Sequence, residues 1–210
     1  MYKQTATFKK LKDNAKVNKP VKIILHHTGG TNANPLADTS HHTAQIVEDW
    51  HLAKGWLGIG YHFYIEKDGT VFLGRPQHVQ GAHTIGQNSR SIGVAMAGNF
   101  DATLPTKAQE VAFKALYLEL NEAHGEEFPV EPHRRYANKS CYGRKLSADY
   151  GQELADRAME QMGPEIDDDS DEAIEYLEKE NERLKKENGV LRGLIQSLIN
   201  LLMTWLQKKK

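Results

Sequence analysis

The residue types best suited to metal chemistry in this sequence are its histidines and its single cysteine. His26 follows the apolar run VKIIL at 21–25, and His133 precedes Cys141 by eight positions. Two imidazole nitrogens and one thiolate fill three positions of a tetrahedral zinc shell, and a catalytic zinc keeps the fourth position for water. His26, His133 and Cys141 are therefore candidate ligands of one zinc ion. The sequence has no short CxxC or HExxH pattern around these residues, so their spacing alone does not establish a metal site.

The position of His26 at the end of a strand favours a site there. The run at 21–25 predicts a buried strand that ends at His26 and His27. Adjacent side chains on an extended strand point to opposite faces. Only one of the two histidines can then face a given site, and we assign His27 a structural role.

Strand and helix signals alternate over the middle of the chain. Further strands are predicted at 61–66, 70–74 and 91–98, and an Asp-Gly turn joins the first two into a hairpin. Helices are predicted at 39–53, from a Thr106 cap to about His124, and from Ser147 to about Met162. Strands interleaved with helices indicate an α/β domain with a mixed central sheet flanked by helices.

Composition divides the chain into four segments. The expected segments are a basic N-terminal extension (1–19), a globular domain (20–163), an acidic linker (164–172) and a C-terminal helix (173–210). The whole chain has 27 Lys+Arg against 28 Asp+Glu, so no basic excess points to nucleic acid as a partner. The first residues lack the apolar core of a secretory signal, and we expect synthesis in a cytoplasm.

The C-terminal segment carries a heptad repeat. One set of residues recurs every seven positions, and a second set lies three positions before each member of the first. The sets are Leu177, Leu184, Leu191, Leu198 and Trp205, and Ile174, Asn181, Asn188, Ile195 and Leu202. This pattern is typical of a coiled coil, so we predict a parallel homo-oligomer joined through residues 172–207. The alternative is an amphipathic helix that folds onto its own domain or contacts a membrane.

Four segments taken together resemble the zinc-dependent N-acetylmuramoyl-L-alanine amidases, which include bacteriophage endolysins and animal peptidoglycan recognition proteins. The segments are ILHHTGG (24–30), GWLGIGYHFYIEKDGTVFLGRP (55–76), GAHTIGQNSRSIGVAMAGNF (81–100) and PHRRYANKSC (132–141). The resemblance extends over about residues 21–160. It implies the amidase fold of that family, one zinc ion (Zn²⁺) per domain, and bacterial peptidoglycan as the substrate.

The resemblance also assigns roles to individual residues. It implies that His26, His133 and Cys141 bind zinc and that Tyr61 and Lys139 are catalytic. Lys139 would stabilise the oxyanion formed during attack on the amide, and Tyr61 would position water or pass a proton to the leaving amine. A sixth residue, His83, resembles a family position close to the cleft, and we assign it to substrate binding.

Two departures from the family pattern stand close to these residues. Tyr142 occupies a position where proline is common, and Arg134 and Arg135 follow His133 where an acidic residue is common. We expect both departures to affect substrate contacts more than zinc binding.

The implied function is hydrolysis of the amide between N-acetylmuramic acid and L-alanine by a lytic phage endolysin. Such an enzyme is held in the host cytoplasm before lysis and acts on the cell wall after release. One alternative is a cytoplasmic muropeptide-recycling amidase, although that branch often has glutamate where this chain has Tyr61. The other is a noncatalytic peptidoglycan-binding or regulatory protein, against which the presence of all three candidate ligands argues.

Overall fold

Six strands form one mixed sheet within the part of the chain that the structure describes. This computed structural model describes residues 2–31 and 33–162, together with Lys179 and Glu182. The strands are β1 (Lys3–Gln4), β2 (Ile23–His27), β3 (Phe63–Ile65), β4 (Val71–Leu73), β5 (Ile92–Met96) and β6 (Val130–Pro132). The helices are α1 (Ala6–Leu11), α2 (Ala44–Ala53), α3 (Lys107–His124) and α4 (Tyr150–Met162), with a 3₁₀ turn at His133–Arg135. The predicted fold class, a mixed sheet flanked by helices, is confirmed.

The topology of the sheet brings two candidate ligands to one edge. The strand order is β1-β4-β3-β5-β2-β6, and β2 pairs in parallel with both β5 and β6. In the β2–β6 pair, Leu25 lies opposite Pro132. His26 follows Leu25, and His133 follows Pro132. The register of β2 and β6 therefore makes these two histidines neighbours. Carboxyl ends of parallel strands are where α/β sheets commonly bind ligands.

The two faces of the sheet are covered by different helices. Leu25 lies in the larger core, which includes residues of α3 and α4. Ala95, the register partner of His26, lies in a smaller cluster with Val47 of α2. Because side chains alternate along a strand, His26 faces the α2 side and His27 faces the larger core. This agrees with the opposite orientations predicted for the two histidines.

Most predicted elements occur, but two helices begin later than expected. The hairpin of β3 and β4 is antiparallel, and α3 begins with the predicted capping box at Thr106. Helix α2 begins at Ala44 rather than near residue 39, because the Thr43 hydroxyl accepts a hydrogen bond from the Ile46 amide and caps it there. Helix α4 begins at Tyr150 rather than at Ser147.

The basic N-terminal segment differs from the expected extension, because it is part of the domain. Strand β1 pairs in parallel with β4, and Leu11 of α1 is buried. The amide and hydroxyl of Thr7 both donate to Oε1 of Glu48 on α2, and the same hydroxyl accepts from the Ile59 amide at 2.9 Å. A compact unit therefore runs from the N-terminus to Ala158.

The contact between Thr7 and Glu48 predicts a stability effect. Glu48 is 1% exposed, so its carboxylate depends on protein donors in place of water. Replacing Thr7 with valine keeps the shape but removes the hydroxyl, and we expect a loss of about 1–3 kcal/mol in the free energy of unfolding. Urea unfolding measures this loss. Thr103→Val is the control: it removes an exposed hydroxyl that donates to the Asn99 carbonyl at 3.1 Å, and it should change the free energy of unfolding by no more than about 0.5 kcal/mol. An equal effect of the two substitutions would contradict the importance of the buried contact.

The predicted linker and coiled coil lie outside the described residues, except that Lys179 and Glu182 are helical. Among the described helices, none combines the length and apolarity needed to cross a bilayer.

Candidate metal centre and cleft

His26, His133 and Cys141 come together at the carboxyl edge of the sheet. Nδ1 of His26 lies 3.6 Å from Sγ of Cys141, and the imidazole centroids of His26 and His133 are 4.5 Å apart. One potential ligand atom from each residue lies within 4.8 Å of the others. β2 supplies His26, the 3₁₀ turn after β6 supplies His133, and the following loop supplies Cys141. Two imidazoles and one thiol converging in this way are a donor set that fits zinc.

The loop that carries Cys141 is held from several sides. The amide of His27 donates to Sγ of Cys141 at 3.5 Å, and the amide of Arg134 donates to the Cys141 carbonyl at 2.6 Å. Asp101, just beyond β5, accepts hydrogen bonds from the Ser140 hydroxyl at 2.6 Å and the Arg144 amide at 2.8 Å. The loop is therefore hydrogen-bonded to the end of β2, to the 3₁₀ turn and to the segment that follows β5.

The residues that depart from the family pattern make contacts within the protein. For Tyr142, which is buried, this is contrary to the expectation that it affects substrate contacts, and for Arg134 and Arg135 that expectation stays a prediction. Tyr142 is 1% exposed, lies in the larger core, and donates its hydroxyl to the Ala148 carbonyl at 2.8 Å. The Arg134 guanidinium stacks on the Tyr142 ring and donates to the Leu146 carbonyl at 3.0 Å. Arg135 forms an ion pair with Glu131 at 3.5 Å. Tyr142 and Arg134 therefore stabilise each other and the part of the loop at residues 146–148.

Burial sets the protonation of the three candidate ligands. It lowers the pKa of His26 well below the usual range, with further lowering from His83 and His133. Burial, followed by the charge of Lys139, lowers the pKa of His133 to about 4. Both imidazoles are therefore neutral near pH 7, the form in which a ring nitrogen can bind a metal. Burial raises the pKa of the Cys141 thiol to about 12, so its thiolate form needs a cation beside the sulfur.

The two predicted catalytic residues lie at the same cleft. The ring of Tyr61 is 5.1 Å from that of His26, and burial, followed by the charge of Cys141, raises the pKa of its phenol. Tyr61 therefore carries its proton near pH 7 and is a hydrogen-bond donor. Lys139 lines the cleft two residues before Cys141.

The other two singled-out histidines face protein groups. Nδ1 of His27 accepts a hydrogen bond from the Phe100 amide at 2.9 Å, as expected for a structural residue. His83 lines the cleft, but its Nδ1 lies 3.1 Å from Nε2 of His26. The structure therefore places His83 against a candidate metal ligand, a position that the assignment to substrate binding did not include.

These residues line a cleft of about 1030 Å³. Its charged lining side chains are Lys54, Lys139, Arg144 and Asp101, so positive charge exceeds negative charge. Trp56 forms part of the wall, where its ring stacks on His51 at 4.5 Å between centroids. The excess of positive charge in this cleft suits an anionic ligand.

Sequence reasoning missed Asp101 and Thr84. Asp101 fastens the Cys141 loop, and the Thr84 hydroxyl lies 3.4 Å from Nε2 of His26. Thr84 lies within the segment at 81–100 that resembles the family, and Asp101 directly follows that segment. Their closeness to this segment could have indicated a role at the site. Only the fold determines which residue each polar side chain contacts.

Comparison with known proteins gives one family. A family model described as N-acetylmuramoyl-L-alanine amidase matches residues 16–146. An endolysin of Klebsiella phage KP32 is 44% identical over 79 residues, which are 35% of this chain and 52% of the endolysin. Across four curated relatives, the chain spans between 15% and 66% of their length.

Two solved structures of similar fold come from a bacterium and an insect. An endolysin N-acetylmuramoyl-L-alanine amidase from Clostridium intestinale matches with a TM-score of 0.57 and 31% identity, over 68% of this chain and 86% of that one. A bumblebee peptidoglycan recognition protein, PGRP-SA, matches with a TM-score of 0.52 and 30% identity, over 64% of this chain and 84% of that one.

Proposed function

The chain belongs to the N-acetylmuramoyl-L-alanine amidase family, and on that premise we propose that it is a zinc hydrolase of bacterial peptidoglycan. The bond cleaved is the amide between N-acetylmuramic acid and L-alanine, and the physiological role is that of a lytic phage endolysin. The observation that carries the proposal is the convergence of His26, His133 and Cys141 in a cleft that Tyr61 and Lys139 also line. The similarity to the endolysin of Klebsiella phage KP32 supports the lytic role.

The cofactor of this proposal is one Zn²⁺, with His26, His133 and Cys141 as its protein ligands. When bound there, zinc would polarise the amide carbonyl and lower the pKa of water. The ligands come from two strand ends and a fastened loop, so they need little rearrangement to hold it. The imidazoles of His26 and His133 are neutral and can bind the ion. The buried Cys141 thiol needs a nearby cation to ionise, and Zn²⁺ would supply it.

Lys139 and Tyr61 supply the remaining polar groups. The ammonium of Lys139 stabilises negative charge on the carbonyl oxygen as the tetrahedral centre forms. Its position on the fastened Cys141 loop holds that charge beside the reacting bond. The protonated phenol of Tyr61 donates a hydrogen bond, and it orients water or passes a proton toward the alanine amine.

The choice of substrate separates this function from muropeptide recycling. A lytic enzyme cleaves intact sacculi, whereas a recycling amidase acts on soluble anhydro-muropeptides. We expect the zinc-loaded protein to solubilise purified sacculi. Cleavage of soluble anhydro-muropeptides alone would assign the protein to recycling, and binding of walls without cleavage would assign it to recognition. On the lytic account, the protein is made in the host cytoplasm and reaches the wall after release.

We also propose that residues 172–207 join several copies through the predicted coiled coil. Linking catalytic domains raises their residence on a polymeric wall through effective concentration. Analytical ultracentrifugation of the full chain should give a homo-oligomer, and a chain truncated after Gly163 should give a monomer. A monomeric full chain in dilute buffer would overturn the coiled coil, and sedimentation with anionic vesicles would then indicate the membrane-contact alternative.

A further inference from the structure

The hydrogen bonds of His26 identify which of its nitrogens faces the candidate metal position. Nδ1 faces Sγ of Cys141, whereas Nε2 faces Nδ1 of His83 at 3.1 Å. A metal on Nδ1 requires the lone pair of that nitrogen, so the neutral ring must carry its proton on Nε2. His26 is 1% exposed, and its Nε2 proton therefore needs a protein acceptor.

We propose that His83 is a positioning residue whose Nδ1 accepts the Nε2 proton of His26 and thereby holds Nδ1 of His26 toward zinc. This inference rests on the proposed metal site. Metal-binding imidazoles commonly donate their other N–H to a fixed acceptor, which sets the tautomer and the ring orientation. The Thr84 hydroxyl, 3.4 Å from Nε2 of His26 and 3.1 Å from Nδ1 of His83, is a second and more distant acceptor.

The packing of His83 supports a positioning role over a substrate contact. Nδ1 faces His26, and the other ring nitrogen, Nε2, is buried without a hydrogen-bond partner among the described residues. A Cβ atom at Gly81 or at Gly93 would lie 2.5 Å from Cδ2 of His83. Both glycines therefore leave the space that the imidazole fills, and neither ring nitrogen is presented to the open cleft.

The backbone around His83 is fixed as well. Oδ1 of Asn88 accepts hydrogen bonds from the amides of His83 and Thr84, each at 2.8 Å. One side chain thus closes the turn that carries both acceptors of the His26 proton. The His83 ring fills the space beside the two glycines, and its backbone is fixed by the turn. It can therefore fix the orientation of His26 before zinc binds.

The test uses two substitutions of similar shape in the full chain. Oδ1 of asparagine lies on the side chain where Nδ1 of histidine lies, so His83→Asn keeps an acceptor, and His83→Leu removes it. Both remove the ring and leave a similar gap, so their difference reports the acceptor. We expect His83→Leu to bind zinc about 10–100-fold more weakly in competition with a chelator, and His83→Asn to stay within a few-fold of wild type.

Three outcomes would overturn the proposal. Equal loss of zinc affinity in both variants would reduce His83 to a packing residue. Unchanged affinity in both, with a raised KM for a soluble muropeptide, would return His83 to substrate binding. A wild-type protein that binds no zinc would overturn the metal site itself and the role of His83 with it.

A spectroscopic measurement keeps the proposal testable if neither variant folds. In the zinc-loaded wild-type protein, ¹⁵N-edited NMR of the imidazoles distinguishes a proton on Nδ1 from one on Nε2. Because Nδ1 of His83 accepts, we expect both His26 and His83 to carry their protons on Nε2. The His83 proton then lies on a buried nitrogen without a hydrogen-bond partner among the described residues, and the bond between zinc and His26 must offset that unfavourable contribution. A proton on Nδ1 of His83 would contradict the proposal.

Discussion

Cys141→Ser is expected to abolish zinc retention and wall lysis together. A serine hydroxyl is a far poorer zinc ligand than a thiolate, and only His26 and His133 would remain. We expect the loss of affinity to exceed the roughly 10–100-fold typical of changing an outer-shell partner. Zinc content after dialysis and the turbidity of a sacculus suspension measure the two effects.

An exposed histidine is the control for that result. His41 lies on the surface before α2, so His41→Ala should keep both zinc and lysis at the wild-type level. His27→Ala is a poorer control, because it removes the acceptor of the Phe100 amide and affects the fold. Equal zinc content in wild type and Cys141→Ser would contradict the ligand assignment.

Tyr61→Phe and Lys139→Ala should keep zinc and lose turnover. Each should lower kcat by roughly 10²–10³-fold if Tyr61 donates a hydrogen bond or proton and Lys139 stabilises the oxyanion. Turnover of a soluble muropeptide, measured at matched zinc content, separates chemistry from metal loading.

Each of these two variants has a counterpart outside the cleft. Lys145→Ala removes an exposed lysine of the same loop, and Tyr150→Phe removes the hydroxyl that donates to Glu110 at 2.9 Å. Neither should lower turnover at matched zinc content. Zinc loss in step with activity would give Tyr61 or Lys139 a structural role, and full activity would remove that residue from the mechanism.

The parts of the site that follow strand ends could be predicted from the sequence. An apolar run ending in His26 and an extended segment ending before His133 are local patterns, and parallel pairing of β2 with β6 makes their ends neighbours. Cys141 follows eight residues later, a separation that could span roughly 27 Å, so the resemblance and not the spacing singled it out. Its place in the fold is set by hydrogen bonds of the loop to His27, Arg134 and Asp101. The alternation of side chains along β2 was enough to separate His26 from His27.

The parts that depend on packing between distant segments could not be predicted. His83 and His26 are 57 positions apart, and only the sheet and the Asn88 turn set the direction of the His83 ring. Its closeness to the cleft was predicted, but its partner was not.

The N-terminal segment shows a second limit of the same kind. Its lysines suggested a solvated extension, and lysine side chains are indeed mostly at the surface there. The contribution of this segment to the fold comes from Thr7, which donates to the buried Glu48, from the buried Leu11, and from the pairing of β1 with β4. The charged residues of such a segment indicate which side chains face solvent, but they do not indicate which of its other side chains are buried.

The most direct test of the zinc amidase is the identity of the bond cleaved in purified sacculi. Zinc-loaded protein should release products with new L-alanine amino termini, in amounts that follow zinc content and that vanish after chelation. Mass spectrometry of the products should also show N-acetylmuramic acid with a free lactyl carboxylate. New reducing sugar ends, or new termini at other peptide bonds without free L-alanine amines, would contradict the account.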